Sequence, residues 1–198
     1  MLNYFIEILI PSYWKVYFKS LPGNKDIFKF SLIIYFLSIM AASVFYSAKP
    51  VGFPEGGVGA QMEGHSIAFW LAMGFLGFFL TIASAYLMML ALYFLESRWI
   101  TFTDLLAVLF SAHAYYLVLF IVIGTATMLR NAAIYKISEL ALSLLGFIFT
   151  IVGVKIIAKT SASKALLVML VSSLGIVAAI FGLHLAGILP KSLLKVIL

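Results

Sequence analysis

The stretch "VKIIAKTSASKALLVML", Val154–Leu170, places three lysines between two long apolar runs. Lys155, Lys159 and Lys164 fall within ten residues, and the turn between them consists of Thr, Ser and Ala. Lys and Arg collect in the short loops that flank membrane spans. The pattern therefore predicts a polar turn between two membrane helices. Lys155 and Lys159 lie one helical turn apart, so both are expected to reach the same lipid headgroups, as is Lys164.

The composition extends this interpretation to the whole chain. Hydrophobic residues make up 65% of it and charged residues 10%, whereas a soluble domain carries about 25% charged residues. A soluble fold of this size could not hide so much apolar surface. The net charge of +6 is spread among the apolar runs, which favours anionic lipid headgroups as partners and excludes nucleic acid. Cysteine is absent, and no metal or cofactor is expected.

Five apolar runs are long enough to cross a bilayer, whose core of about 30 Å needs roughly 20 helical residues. None alternates polar with apolar residues as membrane barrel strands do. The fold class predicted is all-α, an integral membrane bundle of five transmembrane helices in a single domain, residues 1–198. The spans fall at about 27–48, 67–95, 105–129, 137–158 and 165–189.

Residues 1–26 precede the first span and contain "PSYWKVYFKSLPG". Four aromatic residues alternate there with Lys15 and Lys19, a mixture that favours the headgroup zone. The prediction is an interfacial amphipathic helix that ends at Pro22-Gly23. A short helix packed under the bundle fits the periodicity equally well.

The basic residues also predict an orientation. With the N-terminus inside, the inner segments hold eight Lys and Arg residues and the outer segments hold five. Cytoplasmic flanks collect these residues. A multi-pass protein of the cytoplasmic membrane is expected, with its N-terminus inside and its C-terminus outside. The Pro- and Gly-rich stretch Lys49–His65 is then an external loop.

Two histidines are candidates for an intramembrane polar site. His113 lies in the third span and His184 lies near the outer end of the fifth. An ionisable group at such depth is a functional hypothesis by default. The alternative is a neutral imidazole that bonds a carbonyl or hydroxyl of a neighbouring helix. Two distant histidines without a mid-span carboxylate are too few for a metal site.

No catalytic arrangement stands out. Ser111 and His113 are two residues apart, so on a helix they point to different faces and cannot act as a nucleophile and its base. Neither GxSxG nor HExxH occurs. An enzyme is therefore not expected, and no catalytic residue is assigned.

The fifth span carries small residues at a spacing that lets helices approach closely. Packing within the chain is the expected use, and self-association through this face is the alternative. The residues are Gly175, Ala178, Ala179, Gly182 and Ala186.

Three stretches carry a resemblance to a known family: "PSYWKVYFKSLPGNKDIFKFSLIIYF", "ITFTDLLAVLFSAHAYYLVL" and "AKTSASKALLVML". Together they resemble the Yip family, named for Ypt/Rab-interacting proteins, in its compact prokaryotic form. The resemblance covers nearly the whole chain and implies five spans in this order, without catalytic residues. The family often has a proline inside the third span. "SAHAYYL" has none, so a kink there is left open.

Two functions follow as hypotheses. The first is a non-enzymatic, Yip-like component that organises the membrane or interacts with other membrane proteins. The second is a small transporter or channel component with a polar path near His113. A face of His113 turned toward Ser and Thr residues of other spans would favour the second. A membrane enzyme is a third possibility, which would need a cofactor or a partner's residue.

Overall fold

The structure, a computed structural model, describes residues 2–47, 67–96, 99–128 and 132–187. These residues contain helices and no strand, which confirms the all-α prediction. The helices are α1 Leu2–Leu9, α2 Trp14–Ser20, α3 Lys25–Ser47, α4 Ile67–Glu96, α5 Phe102–Ala112, α6 Ala114–Met128, α7 Ala132–Ala158 and α8 Ala162–Leu185, with a 3-10 turn at Pro11–Tyr13.

Five segments of the described chain are long and apolar enough to cross a membrane. They are α3, α4, the pair α5–α6, α7 and α8. The protein is therefore a multispanning membrane protein with the predicted five-helix architecture. Helix α4 has 30 residues, about 45 Å at 1.5 Å per residue, so it exceeds the bilayer core as expected. The loop Lys49–His65 and five basic residues used for the orientation lie outside the described residues: Lys49, Arg98, Arg130, Lys191 and Lys195.

The N-terminal segment is helical, and it packs against the bundle. Its residues Trp14, Tyr17 and Phe18 are buried in the protein, so these rings are not available to lipid headgroups. The Tyr17 hydroxyl lies 2.6 Å from Ser111 Oγ, which is the tenth residue of α5. Ser111 lies nine residues beyond the start of α5. At 1.5 Å per residue, the N-terminal segment therefore runs alongside the third span for about 13 Å. This is the packed arrangement that the periodicity had left open.

The outer face of α2 carries two lysines. Lys15 and Lys19 are exposed there, and their contact with lipid stays a prediction. Burial raises the pKa of the Tyr17 phenol on the opposite face, against a smaller opposing effect of its hydrogen bond to Ser111. Tyr17 therefore remains a neutral hydroxyl within the protein.

A tight turn joins α2 to α3 where the sequence predicted it. The Asn24 amide donates to the Leu21 carbonyl at 2.9 Å, and Gly23 has φ +70°. Proline followed by a glycine of positive φ is typical of a type II turn. Asn24 then caps α3, because its Oδ1 accepts from the amides of Asp26 at 3.0 Å and Ile27 at 3.2 Å.

The lysine-rich turn between α7 and α8 closes with a pair of backbone hydrogen bonds. The Lys159 amide donates to the Ile156 carbonyl and the Thr160 amide to the Lys155 carbonyl, at 3.3 and 3.0 Å. This is a Schellman motif, in which the residue after the helix takes a left-handed conformation. That residue is Lys159, with φ 49°.

We expect Lys159→Gly to raise the free energy of unfolding by about 0.5–1 kcal/mol. A left-handed L-residue costs about 1–2 kcal/mol, and the extra chain entropy of glycine offsets about 0.5–1 kcal/mol. The control is Lys155→Gly, inside the same helix, which should lower stability by about 1 kcal/mol. Thermal unfolding in detergent measures both, and a loss of stability in both variants would contradict the prediction.

Lys164 holds the same turn against the end of α4. Its Nζ lies 2.9 Å from Glu96 Oε1, and the Thr160 hydroxyl donates to that oxygen at 2.6 Å. Ser161 caps α8 by accepting from the Lys164 amide at 3.3 Å. Lys164 therefore has a structural partner in addition to its predicted contact with lipid, whereas Lys155 and Lys159 are simply exposed.

Candidate functional site

The third span is interrupted at His113. Helix α5 ends at Ala112 and α6 begins at Ala114. Between them the His113 amide donates to the Phe110 carbonyl at 3.1 Å, a bond of 3-10 type that tightens the chain. The sequence predicted one span at about 105–129 and left a kink within it open, and the structure describes this span as two helices joined at His113.

No proline lies at the interruption, and the residues around it contact other helices. Three alternate residues of the third span each bond a different segment. Ser111 bonds Tyr17 of α2, His113 bonds Ser38 of α3, and Tyr115 donates to the Ile8 carbonyl of α1 at 2.6 Å. Ser111 and Tyr115 are four residues apart and share one helix face, whereas His113 between them points to α3.

The His113 ring has a defined donor and acceptor. Ser38 Oγ donates its one hydrogen to the Tyr35 carbonyl at 2.7 Å. The 3.1 Å bond between Ser38 Oγ and His113 Nδ1 therefore has Nδ1 as the donor. The Tyr35 ring packs edge-on against the imidazole, with centroids 4.4 Å apart. His113 therefore bonds a hydroxyl of a neighbouring helix.

His113 also lines a cavity of about 580 Å³. The cavity lies between α4, the α5–α6 junction, α7 and α8, and its volume is within the usual range for small-molecule sites. Ser and Thr residues from three helices line it, beside Tyr115 and Tyr116 of α6 and a mainly apolar remainder. The Ser and Thr residues are Thr81, Ser84, Ser143, Thr150 and Ser173.

A second cavity of about 250 Å³ lies on the other side of His113, between α3, α4 and α6. His113 and Tyr116 line both cavities. These two side chains therefore separate two spaces within the membrane region. No sequence pattern indicated that arrangement.

The larger cavity has a polar but uncharged character. None of the described residues that line it is Asp, Glu, Lys or Arg. An ion held there would lack a charged partner in a medium of low dielectric constant, which is costly. An imidazolium at His113 would face the same cost. The lining is therefore suited to neutral molecules that form hydrogen bonds.

The hydroxyl residues of this lining were missed by the sequence analysis. A faint signal existed, since Thr81 and Ser84 are three residues apart on α4, and residues at that spacing share a helix face. Each of the lining helices is apolar on all its faces, however. Only the packed structure shows which face turns inward.

The other candidate residues from the sequence do not form part of this cavity site. His184 lies in the last turn of α8 and lines neither cavity. Ser111 bonds Tyr17 while His113 bonds Ser38, so these two side chains have different partners. Across residues 2–47, 67–96, 99–128 and 132–187, three or more His, Cys, Asp or Glu residues nowhere converge into a metal site.

The small residues of α8 divide between two roles. Gly175 faces α4, where an added Cβ would lie 2.9 Å from Leu87 Cδ1, so packing within the chain is confirmed there. Along the rest of the stripe that expectation is wrong, because the residues lie on the surface of the bundle. The exposed residues are Ala178, Ala179, Gly182 and Ala186.

Comparison of this chain with protein-family models, curated proteins and solved structures finds no match in any of the three.

Proposed function

We propose that this protein binds a small molecule inside the membrane, in the 580 Å³ cavity beside His113. Among the functions predicted from the sequence, this is the small transporter or channel component with a polar path near His113. The observation that supports it most directly is the convergence of hydroxyl groups from α4, α7 and α8 on one space. Packing of the helices against one another does not by itself require a cavity lined by hydroxyl groups.

A second observation supports a path rather than a closed pocket. The two cavities share His113 and Tyr116, so movement of these side chains would connect them. No catalysis is proposed, because the bonds of His113 and Ser111 lead to structural partners.

The binding function is tested by asking what molecule accompanies the purified protein. We expect a small molecule to be extracted from the wild type and reduced about tenfold in Ser143→Phe and Ser173→Phe, which add a ring at two walls of the cavity. A tenfold change corresponds to about 1.4 kcal/mol of binding free energy. The control is Leu174→Phe, on the same helix turn but exposed and outside the cavity lining. Equal contents in the wild type and all three variants would refute the proposal.

We propose a membrane-organising role, the Yip-like function, as a second candidate. The exposed line of Ala178, Gly182 and Ala186 supports it, since small residues permit close contact between helices. The chain has no cysteine, so Gly182→Cys introduces a single thiol. Oxidation in membranes should crosslink Gly182→Cys but not Tyr86→Cys, which is exposed on α4; equal crosslinking would contradict this role.

The orientation is proposed with the N-terminus in the cytoplasm and the C-terminus outside, in the cytoplasmic membrane. Supporting it, the starts of α3 and α8 and the end of α7 carry Lys25, Lys29, Lys155, Lys159 and Lys164. Terminal tags test the arrangement in spheroplasts, where external protease should remove only the C-terminal tag. Removal of the N-terminal tag alone would show that the orientation is the opposite of the one proposed.

A further inference from the structure

Four polar side chains form the inner wall of the 580 Å³ cavity, and each has already used its donor hydrogen within the protein: Thr81, Ser84, His113 and Thr150. Thr81 Oγ1 donates to the Gly77 carbonyl at 2.8 Å, and Thr150 Oγ1 donates to the Gly146 carbonyl at 2.9 Å. A hydroxyl has one hydrogen and two lone pairs. Both threonine oxygens therefore keep acceptor lone pairs toward the cavity, and that of Thr81 also lies within hydrogen-bond reach of the Tyr35 side chain.

Ser84 and His113 contribute in the same way. Ser172 Oγ donates to the Ser84 carbonyl at 2.9 Å, so in the 2.8 Å contact between the two hydroxyls Ser84 is the donor. Its oxygen keeps lone pairs. His113 donates through Nδ1 to Ser38, which leaves Nε2 of the neutral ring as an acceptor. The inner wall is therefore a set of acceptors without charge.

The cavity opens sideways rather than toward either membrane surface. Ser143, Phe147 and Ser173 line it and are exposed on the bundle surface. Ser143 and Phe147 are the twelfth and sixteenth of the 27 residues of α7, and Ser173 is the twelfth of the 24 residues of α8. Residues near the middle of a spanning helix lie near the centre of the bilayer. The opening between α7 and α8 therefore faces hydrocarbon.

We propose that the occupant is an uncharged lipid with a hydroxyl head, which reaches the cavity from the bilayer between α7 and α8. Its hydroxyl donates to the acceptors of the inner wall, and its chain remains in the apolar part of the lining and in the surrounding lipid. A charged headgroup would lose its hydration without gaining a partner. A head with carbonyl or ether oxygens alone would meet only acceptors at the inner wall, and it could accept hydrogen bonds only from the hydroxyls of Ser143, Ser173 and Tyr116 elsewhere in the lining. This inference rests on the proposed binding function and specifies its ligand.

Three lipids with the same acyl chains test the inference: 1,2-dioleoylglycerol, its 3-O-acetyl ester and dioleoyl phosphatidic acid. Each is added to the intact protein in phosphatidylcholine nanodiscs, and retention is measured by native mass spectrometry. Dioleoylglycerol should be retained about tenfold more than either analogue, since the ester has no donor and the acid carries charge. Ser143→Phe and Ser173→Phe should abolish this preference, and Leu174→Phe should not.

A matched pair of threonine variants tests the hydrogen bonds themselves. Thr81→Val keeps the side-chain shape and removes one acceptor, so it should reduce the preference for dioleoylglycerol over its ester about three- to tenfold. Thr125 makes the same bond to a carbonyl four residues earlier, at 3.1 Å, but is exposed on α6 outside the cavity lining. Thr125→Val should leave the preference unchanged.

The outcomes separate this inference from the binding function. Equal retention of the three lipids, or a preference for the ester or the acid, overturns the hydroxyl-lipid assignment. If extraction instead yields a water-soluble molecule whose content depends on Ser143 and Ser173, the binding function stands and the lipid assignment fails. If the same amount of small molecule is extracted from the wild type and from every cavity variant, both the binding function and the lipid assignment are refuted.

Discussion

Replacing Gly153 with alanine is expected to lower the free energy of unfolding by about 1–3 kcal/mol, the usual cost of overpacking a core. A Cβ at this position of α7 would lie 2.7 Å from Phe18 Cε1 and 2.7 Å from Val108 Cγ1. Phe18 and Val108 are fully buried, so neither ring nor methyl group has free space to move into. Glycine is needed here because three helices, α2, α5 and α7, meet at one point.

Gly182→Ala is the matched control, since an added Cβ there meets no atom within 4 Å. Alanine favours a helix over glycine by up to about 1 kcal/mol, so this variant should be neutral or slightly more stable. Thermal unfolding in detergent compares the two. Because Trp14 packs against Phe149 on α7, with centroids 5.5 Å apart, its fluorescence should also report displacement of α2 in Gly153→Ala. Equal unfolding temperatures in the two variants would show that α2 does not pack closely on α7.

Asp104→Ala is expected to destabilise the protein by about 2–3 kcal/mol, since hydrogen bonds to charged groups are each worth about 1.5–3 kcal/mol. The Asp104 carboxylate is buried and accepts from the Gly23 amide at 3.0 Å and from the Thr101 hydroxyl. It thus ties the turn before α3 to the start of α5. Loss of the carboxylate leaves two donors without their partner and frees the N-terminal segment.

Asp26→Ala serves as the control for charge at a helix start. Asp26 lies in the first turn of α3 and is exposed, so its removal should cost only about 0.3–1 kcal/mol through the helix dipole. Limited proteolysis between Leu21 and Asn24 should increase in Asp104→Ala and not in Asp26→Ala. Similar losses of stability in both variants would mean that the tie to Gly23 contributes nothing beyond the dipole.

The start of α5 shows how far local sequence reasoning reaches. Thr101 precedes the helix, as a capping residue does, and Asp104 follows three residues later. The structure places Thr101 at the cap position but without a side-chain bond to the backbone. Its hydroxyl goes to Asp104 instead, because the carboxylate is held there by Gly23, 81 residues away in sequence. No local pattern contains that partner.

The N-terminal segment is a second case in which the local sequence does not decide the structure. Alternating aromatics and lysines are equally typical of a helix on a membrane surface and of one packed on protein. The decision depends on whether a complementary surface exists. Gly153 provides the space that Phe18 fills, and Ser111 provides the hydroxyl for Tyr17. Both lie more than 90 residues away along the chain.

The sequence by itself determined the five spans, their approximate ends and the lysine-bearing turn. A bilayer requires a minimum length of apolar helix with every backbone group bonded internally, and such a requirement is visible in composition. Only the tertiary structure decided the interruption at His113, the burial of the N-terminal aromatics and the hydroxyl-lined cavity. Helices that are apolar all round carry little information about which face meets which, because that choice depends on shape and on single hydrogen bonds between distant residues.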